Sequence, residues 1–205
     1  MKLQYLIIPF TALAPCASFA ATPALQTFVA CDANSLSVVE QPGFKERVPS
    51  KRDNGKIVLS GGSKTDAGVR WMFDKPLTLE GLTLTGFFLE DQDLMGSRII
   101  GSGFYTQEAP EKAYEQLKKV QGSQLESTQG IYARAQAWSG KDSTWVAESS
   151  DDTAGKLVTD TAERILMVEP ASPDAGHGSK GMVTCSVQGK VTTEMLKTTR
   201  PDLIK

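Results

Sequence analysis

The stretch "IYARAQAW", residues 131–138, carries the pattern that decides the fold. Its side chains alternate with a period of two residues, as the side chains of a β-strand do. Ala133 and Ala135 then share one face of the strand, and Tyr132 and Trp138 share the other. One face is small and apolar, and the opposite face is aromatic and polar. The alternation therefore predicts a β-strand over these residues.

Six further stretches are rich in β-branched and aromatic residues and are bounded by glycine, aspartate or proline. This composition is typical of strands between turns. The predicted strands cover residues 55–60, 68–73, 97–105, 143–149, 162–169 and 182–189.

Helical patterns are few. The stretch "APEKAYEQLKKVQG", residues 109–122, has Pro110 at its first turn, Gly122 past its end and one apolar stripe at three- and four-residue spacing. A further candidate is a short C-terminal helix over residues 192–199. We therefore expect an α+β fold: a mostly antiparallel β-sheet with one packed amphipathic helix and this short C-terminal one.

A tandem repeat of five residues, "LTLEGLTLTG", covers residues 77–86. Strand side chains alternate with period two, so a repeat of odd length would move its leucines from one face of the sheet to the other. A bulge or a tight turn at Gly81 would restore the phase. We expect one of the two at that glycine.

The first twenty residues, "MKLQYLIIPFTALAPCASFA", have one lysine, a short apolar run and small residues before a cleavage point. This layout is typical of a secretory signal peptide, and the run is shorter than the ~20 residues of a membrane-spanning helix. We expect a periplasmic or secreted protein with no transmembrane segment after the leader. The alternative is a lipoprotein anchored through Cys16, which Pro15 disfavours because the residue before a lipidated cysteine is normally small.

The remaining residues, 21–205, are expected to form a single exported α+β domain. They hold two cysteines, Cys31 and Cys185, and two cysteines in an oxidising compartment predict one disulfide. A bridge across so long a loop stabilises a fold by ~5 kcal/mol in the chain-entropy model. Two free thiols are the alternative.

Charge excludes one class of partner. Without Lys2 the chain has 21 basic and 24 acidic residues, a net charge of −3. A weakly acidic chain is a poor ligand for polyanions, so we expect no nucleic-acid partner.

Catalytic and metal-binding groups are scarce. The one histidine, His177, lies in the glycine- and serine-rich stretch 170–185, which predicts a mobile surface loop. Catalytic triads that need histidine are then excluded, and one histidine is too few for a usual zinc site.

The stretch "EDQDLMG", residues 90–96, begins like a calcium loop but lacks the later ligands, and we interpret it as a charged turn. We predict no cofactor and no metal.

The stretch "SGFY", Ser102 to Tyr105, resembles the SGxY motif of bacterial periplasmic lysozyme inhibitors. In that family the motif lies on a loop that plugs the active-site cleft of the enzyme, so the resemblance implies an exposed inhibitory loop here. The resemblance covers four residues. The alternative is that Phe104 or Tyr105 is a core residue at the end of a strand.

These observations favour a binding protein over an enzyme. The expected function is that of an inhibitor or immunity-type factor that occludes a site on another protein, such as an envelope or secreted hydrolase. Aromatic residues are the usual anchors of such interfaces. The candidate binding residues are Ser102, Tyr105, Tyr132, Trp138 and Trp145. The alternatives are an exported hydrolase that works through two carboxyl groups, one with a raised pKa, and a structural or stress-related envelope protein.

Overall fold

The computed structural model of the protein describes residues 23–120, 124–148, 161–173, 175–176 and 178–204. The expected leader, the alternative lipidation site Cys16, the helix end at Gly122 and the loop histidine His177 lie outside the described residues. The expectations for these positions therefore stay predictions.

The chain alternates short helical segments with long strands. In chain order the elements are α1 (Ala24–Val29), a 3-10 helix (Ser35–Glu40), β1 (Ser50–Asp53), β2 (Lys56–Leu59), β3 (Ser63–Lys64), β4 (Gly68–Leu79), β5 (Leu82–Leu94), β6 (Ser97–Thr106), α2 (Pro110–Leu117), β7 (Glu126–Thr128), β8 (Ile131–Ser139), β9 (Thr144–Ala147), β10 (Ala162–Pro170), β11 (Gly181–Gly189), α3 (Thr193–Thr199) and a 3-10 helix (Pro201–Leu203).

Nine of the described strands form one antiparallel sheet. Its order is β3-β4-β5-β6-β11-β10-β8-β7, and β9 pairs with the end of β8. β1 and β2 form a separate two-stranded hairpin. All seven strands expected from the sequence are present, as are the two expected helices, so the α+β prediction is confirmed.

The five-residue repeat forms a hairpin. Glu80 and Gly81 have φ values of +47° and +92°, the left-handed pair that a two-residue turn between antiparallel strands requires. Leu79 pairs with Leu82 across this turn, so the leucines of both copies fall on one face and the prediction of a tight turn is confirmed. The Glu80 carboxylate also accepts the backbone N–H of Ala24 at 2.7 Å, which fastens the start of α1 to the turn.

The main hydrophobic core lies on the face of the sheet that carries Phe87, Phe104 and Val183, which we call the inner face. The chain before β1 fills this face, because Phe28 and Phe44 pack against Phe104 with ring centroids 4.3 and 5.5 Å apart. The buried residues of this segment are Ala24, Leu25, Phe28, Val29, Cys31, Leu36, Val38, Val39, Phe44 and Val48. α2 contributes Ala113 and Leu117 to the same core.

The opposite, outer face is covered in part by the connection between β10 and β11. Ala175 is 1% exposed and packs against Phe88 and Tyr105. Ser179 Oγ lies 2.7 Å from Thr85 Oγ1 and donates to the carbonyl of Ala175 at 2.8 Å. Ala175 and Ser179 thus hold the connection against the sheet, whereas Pro173, Gly176, Gly178 and Lys180 are exposed. The connection is a surface loop over these residues, and its mobility stays a prediction.

Two smaller findings complete the fold. The acidic stretch expected as a charged turn instead continues β5 as far as Leu94, and its turn is confined to Met95 and Gly96. Among the described residues, no helix is long and apolar enough to cross a membrane.

Candidate functional site

Ser102 and Tyr105 lie in the middle of the sheet, not on a loop. Both belong to β6, which pairs with β5 on one side and β11 on the other, and they are 2% and 1% exposed. The Tyr105 ring packs against Phe88 at 4.9 Å and lies 5.8 Å from the guanidinium of Arg70. The lysozyme-inhibitor resemblance implied an exposed loop, and the structure corrects this expectation. A side chain buried to this extent presents no surface to a partner, so Tyr105 is a core residue, as the alternative had it.

Cys31 and Cys185 lie at disulfide distance. Their sulfur atoms are 1.95 Å apart and their Cα atoms 5.3 Å apart. The bridge joins the residue that follows the last turn of α1 to the middle of β11, so it fastens the helical segment to the sheet. A disulfide in this position fits an oxidising compartment.

The other three candidate residues share one face of the sheet. Tyr132 and Trp138 lie on the inner face of β8, and Trp145 of β9 pairs directly with Trp138. Tyr132 stacks on Tyr114 of α2, with ring centroids 4.3 Å apart, and packs against the main core. Tyr132 is therefore a packing residue, and the structure brings together only the two tryptophans.

Trp138 and Trp145 form an edge-to-face pair. Their ring centroids are 5.0 Å apart and their planes are inclined by 68°, an arrangement that aromatic pairs prefer. Both side chains are partly exposed. Among the described residues, neither belongs to the two hydrophobic clusters of the fold. Core packing alone therefore does not account for two large aromatic rings at this place.

Polar contacts fix the position of Trp145. Its indole N–H donates to Thr198 Oγ1 of α3 at 2.9 Å. The guanidinium of Arg164 lies 5.3 Å from the ring centroid, within the range of a cation–π contact. We call Trp138, Trp145, Arg164 and Thr198 the tryptophan site.

Arg164 is held by neutral acceptors. Its Nε and Nη2 donate to Gln136 Oε1 at 3.0 and 2.6 Å, and its Nη1 donates to the carbonyl of Cys31 at 3.4 Å. The pKa of Arg164 is lowered to about 10, mainly by burial and also by the charge of Arg134, while Asp32 opposes the shift. Arg164 is still charged at neutral pH. The tryptophan site therefore combines a rigid aromatic surface with a positive charge that hydrogen bonds to neutral groups do not cancel.

The carboxyl groups relevant to the hydrolase alternative lie on the outer face. Burial raises the pKa of Glu163, and the charge of Glu148 adds to the shift. Burial also raises the pKa of Glu169, and Glu90 adds to it. Glu163 and Glu169 do not line the four clefts of the described residues that lie beside Cys185, Asn54, Trp71 and Arg47. In the same residues no group of three or more histidine, cysteine, aspartate or glutamate side chains is placed to hold a metal ion.

Sequence reasoning missed two members of the tryptophan site, Arg164 and Thr198. A signal for Arg164 was present: it alternates with Leu166 and Val168 in β10, so an arginine occupies a position facing the core side of the sheet. Thr198 had no such signal, because its contact with Trp145 joins residues 53 positions apart.

Comparison of the chain with models of known protein families, with curated protein sequences and with solved structures gave no match.

Proposed function

We propose that the chain is an exported binding protein that captures another protein through the tryptophan site. One observation carries the proposal: Trp138 and Trp145 are partly exposed, lie outside the described hydrophobic clusters and are held in a fixed arrangement beside a charged arginine. Tryptophan and arginine are the residues most enriched at the energetic centres of protein interfaces. Rings that are already immobilised lose little conformational entropy when a partner binds.

The mechanism that follows is occlusion by a rigid surface. A stable interface needs about 800 Å² on each side, and two tryptophans supply no more than about 500 Å² even when fully buried. The rest of the edge strand β9, which pairs only with the end of β8 among the described strands, would supply the remainder. A partner group that accepts hydrogen bonds beside Arg164 would give the interface its orientation. An inhibitor or immunity-type factor acts in this way when its partner is an enzyme.

Export is part of the same proposal. The disulfide between Cys31 and Cys185 fits an oxidising compartment, and the expected leader would direct the chain there. The partner would then be an envelope or secreted protein. The partner would be identified by its recovery with the purified protein.

The test uses three forms of the purified protein: wild type, the double variant Trp138→Ala/Trp145→Ala, and the control Met95→Ala. Met95 lies at the β5–β6 turn and is 98% exposed. β11 and β10 separate β6 from β8 in the sheet, so Met95→Ala removes apolar surface outside the tryptophan site. Each form is used to recover partners from envelope and secreted extracts, which are read by quantitative mass spectrometry.

We expect wild type and Met95→Ala to recover the same protein in a fixed ratio and the tryptophan variant to lose it. Direct titration of the single variants Trp138→Ala and Trp145→Ala should then show that each tryptophan contributes over about 1 kcal/mol, more than fivefold in Kd. Equal recovery by a folded tryptophan variant would overturn the proposal. In that case the hydrolase alternative is tested next at Glu169, because Glu90 adds to its raised pKa.

A further inference from the structure

A cleft of about 370 Å³ lies between the first 3-10 helix, the β1–β2 hairpin and the C-terminal segment. Its volume is in the range of small-molecule sites, about 300–1,000 Å³. The side chains that matter for its chemistry are Arg52, Lys56 and Lys197, with Asn34, Asn54, Ser37 and Asp202 beside them. None of the four residues of the tryptophan site lines this cleft, and ligand binding in the cleft is independent of the proposed function.

Positive charge outweighs negative charge in the cleft. Three cationic side chains line it, against one carboxylate, Asp202. That carboxylate is already occupied: the guanidinium of Arg200 donates to its two oxygens at 2.9 and 2.8 Å, and the pair is largely buried. Asp202 therefore leaves the lysines of the cleft uncompensated.

The two lysines are differently placed. Lys56 Nζ donates to the backbone carbonyl of Ile204, a neutral acceptor. Lys197 lies on α3, is exposed, and has no ion-pair partner among the described residues. Arg52 is bound through two nitrogens to Glu40, which does not line the cleft. The two lysine ammonium groups therefore keep most of their attraction for an anion.

The remaining lining supplies neutral polar groups and an apolar floor. Asn34, Asn54 and Ser37 offer amide and hydroxyl groups, and Leu36 and Ile57 offer apolar surface. Ligand sites in proteins commonly join a partly apolar wall to a few polar groups that fix orientation.

We propose that this cleft binds a small organic molecule that carries two or more negative charges. Carboxylates and phosphates share the chemistry that the lysines recognise, because both offer charged oxygen acceptors to an ammonium group. A large polyanion is a poor fit, since the expected exported chain is itself acidic, with a net charge of −3.

The test is calorimetric titration of the full chain at low ionic strength with three probes: citrate, glucose 6-phosphate and neutral glucose. We expect one of the two anions to bind and glucose not to bind. Preference for citrate identifies a polycarboxylate site, and preference for the sugar phosphate identifies a phosphate site. Raising the salt to physiological ionic strength should weaken binding, because exposed charges are then screened over about 8 Å.

Two variants locate the binding. Lys197→Gln should weaken the binding of the anion about fivefold, the effect of removing one nearby charge at a protein surface. Lys112→Gln makes the same change at an exposed lysine of α2 and should leave the affinity within about twofold. The proposal is overturned if neither anion binds wild type, if glucose binds as tightly, or if both variants weaken binding equally.

Discussion

The ring of Phe88 lies across Gly103, and a Cβ atom added to Gly103 would stand 2.4 Å from Cζ of that ring. The two residues are direct cross-strand partners in β5 and β6. The same added atom would be 2.5 Å from the carbonyl oxygen of Val183 on β11. Only glycine lets Phe88 bend over the sheet and reach Tyr105, with which it packs at 4.9 Å.

Gly103→Ala should therefore destabilise the protein by about 1–3 kcal/mol, the usual effect of overpacking a tight interior. Gly140→Ala is the control, because nothing lies within 4 Å of its added Cβ and its φ is not positive. Urea unfolding followed by tryptophan fluorescence measures both variants. Equal stability of the two would show that Phe88 can move away without loss of packing.

We expect substitution of Tyr105 to lower the stability of the fold and not to remove a direct contact with the partner protein. Tyr105→Ala removes a ring that is 1% exposed between the sheet and the β10–β11 connection, and truncation of a buried aromatic side chain costs about 3–5 kcal/mol. Tyr105→Phe keeps the ring and should stay folded with wild-type affinity for the captured partner. A folded Tyr105→Phe variant that lost the partner would return Tyr105 to the binding surface.

Much of the sheet could be predicted from sequence, because its strands carry local signals. Alternation in β8 placed Tyr132 and Trp138 on one face, and the repeat around Gly81 located a tight turn. Neither pattern needs knowledge of any distant residue.

What could not be predicted depends on long-range packing. α1 has six residues, too few for a helical period to show, and it is stabilised by contacts with the sheet. The burial of Tyr105 had no local signal either, since its cover comes from Ala175 in the β10–β11 connection. Trp145 was identified as a candidate by residue type alone, whereas Thr198 and Arg164 required the structure.

The disulfide should contribute a large part of the stability. It closes a loop with a sequence separation of 154 residues, which corresponds to about 5 kcal/mol in the chain-entropy model. Replacing both cysteines by serine should lower Tm by about 10–20 °C for a chain of this size. Scanning calorimetry of the variant and of the oxidised wild type measures the difference. A matching Tm in the two proteins would mean that the packing of Phe28 and Phe44 fixes the N-terminal segment without the bridge.

Glu163 should make the protein less stable as pH rises. It is 6% exposed on the outer face of β10, and its pKa is raised by burial and then by Glu148. The folded chain therefore holds this proton more tightly than the unfolded chain, whose glutamate titrates near 4.3. The stability that the proton confers is complete below that pH and is lost as pH rises through the raised pKa of the folded state.

Glu163→Gln removes this titration and keeps a polar group beside Gln188, its cross-strand partner on β11. The variant should be more stable than wild type at neutral pH, and its advantage should disappear below about pH 4. Glu126→Gln, an exposed change in β7, should follow the wild-type profile. Thermal unfolding of the three proteins between about pH 4 and pH 8 gives the comparison. Parallel curves for Glu163→Gln and wild type over the whole range would show that the Glu163 carboxyl group is solvated in the folded protein, because only a desolvated carboxylate produces the difference in slope.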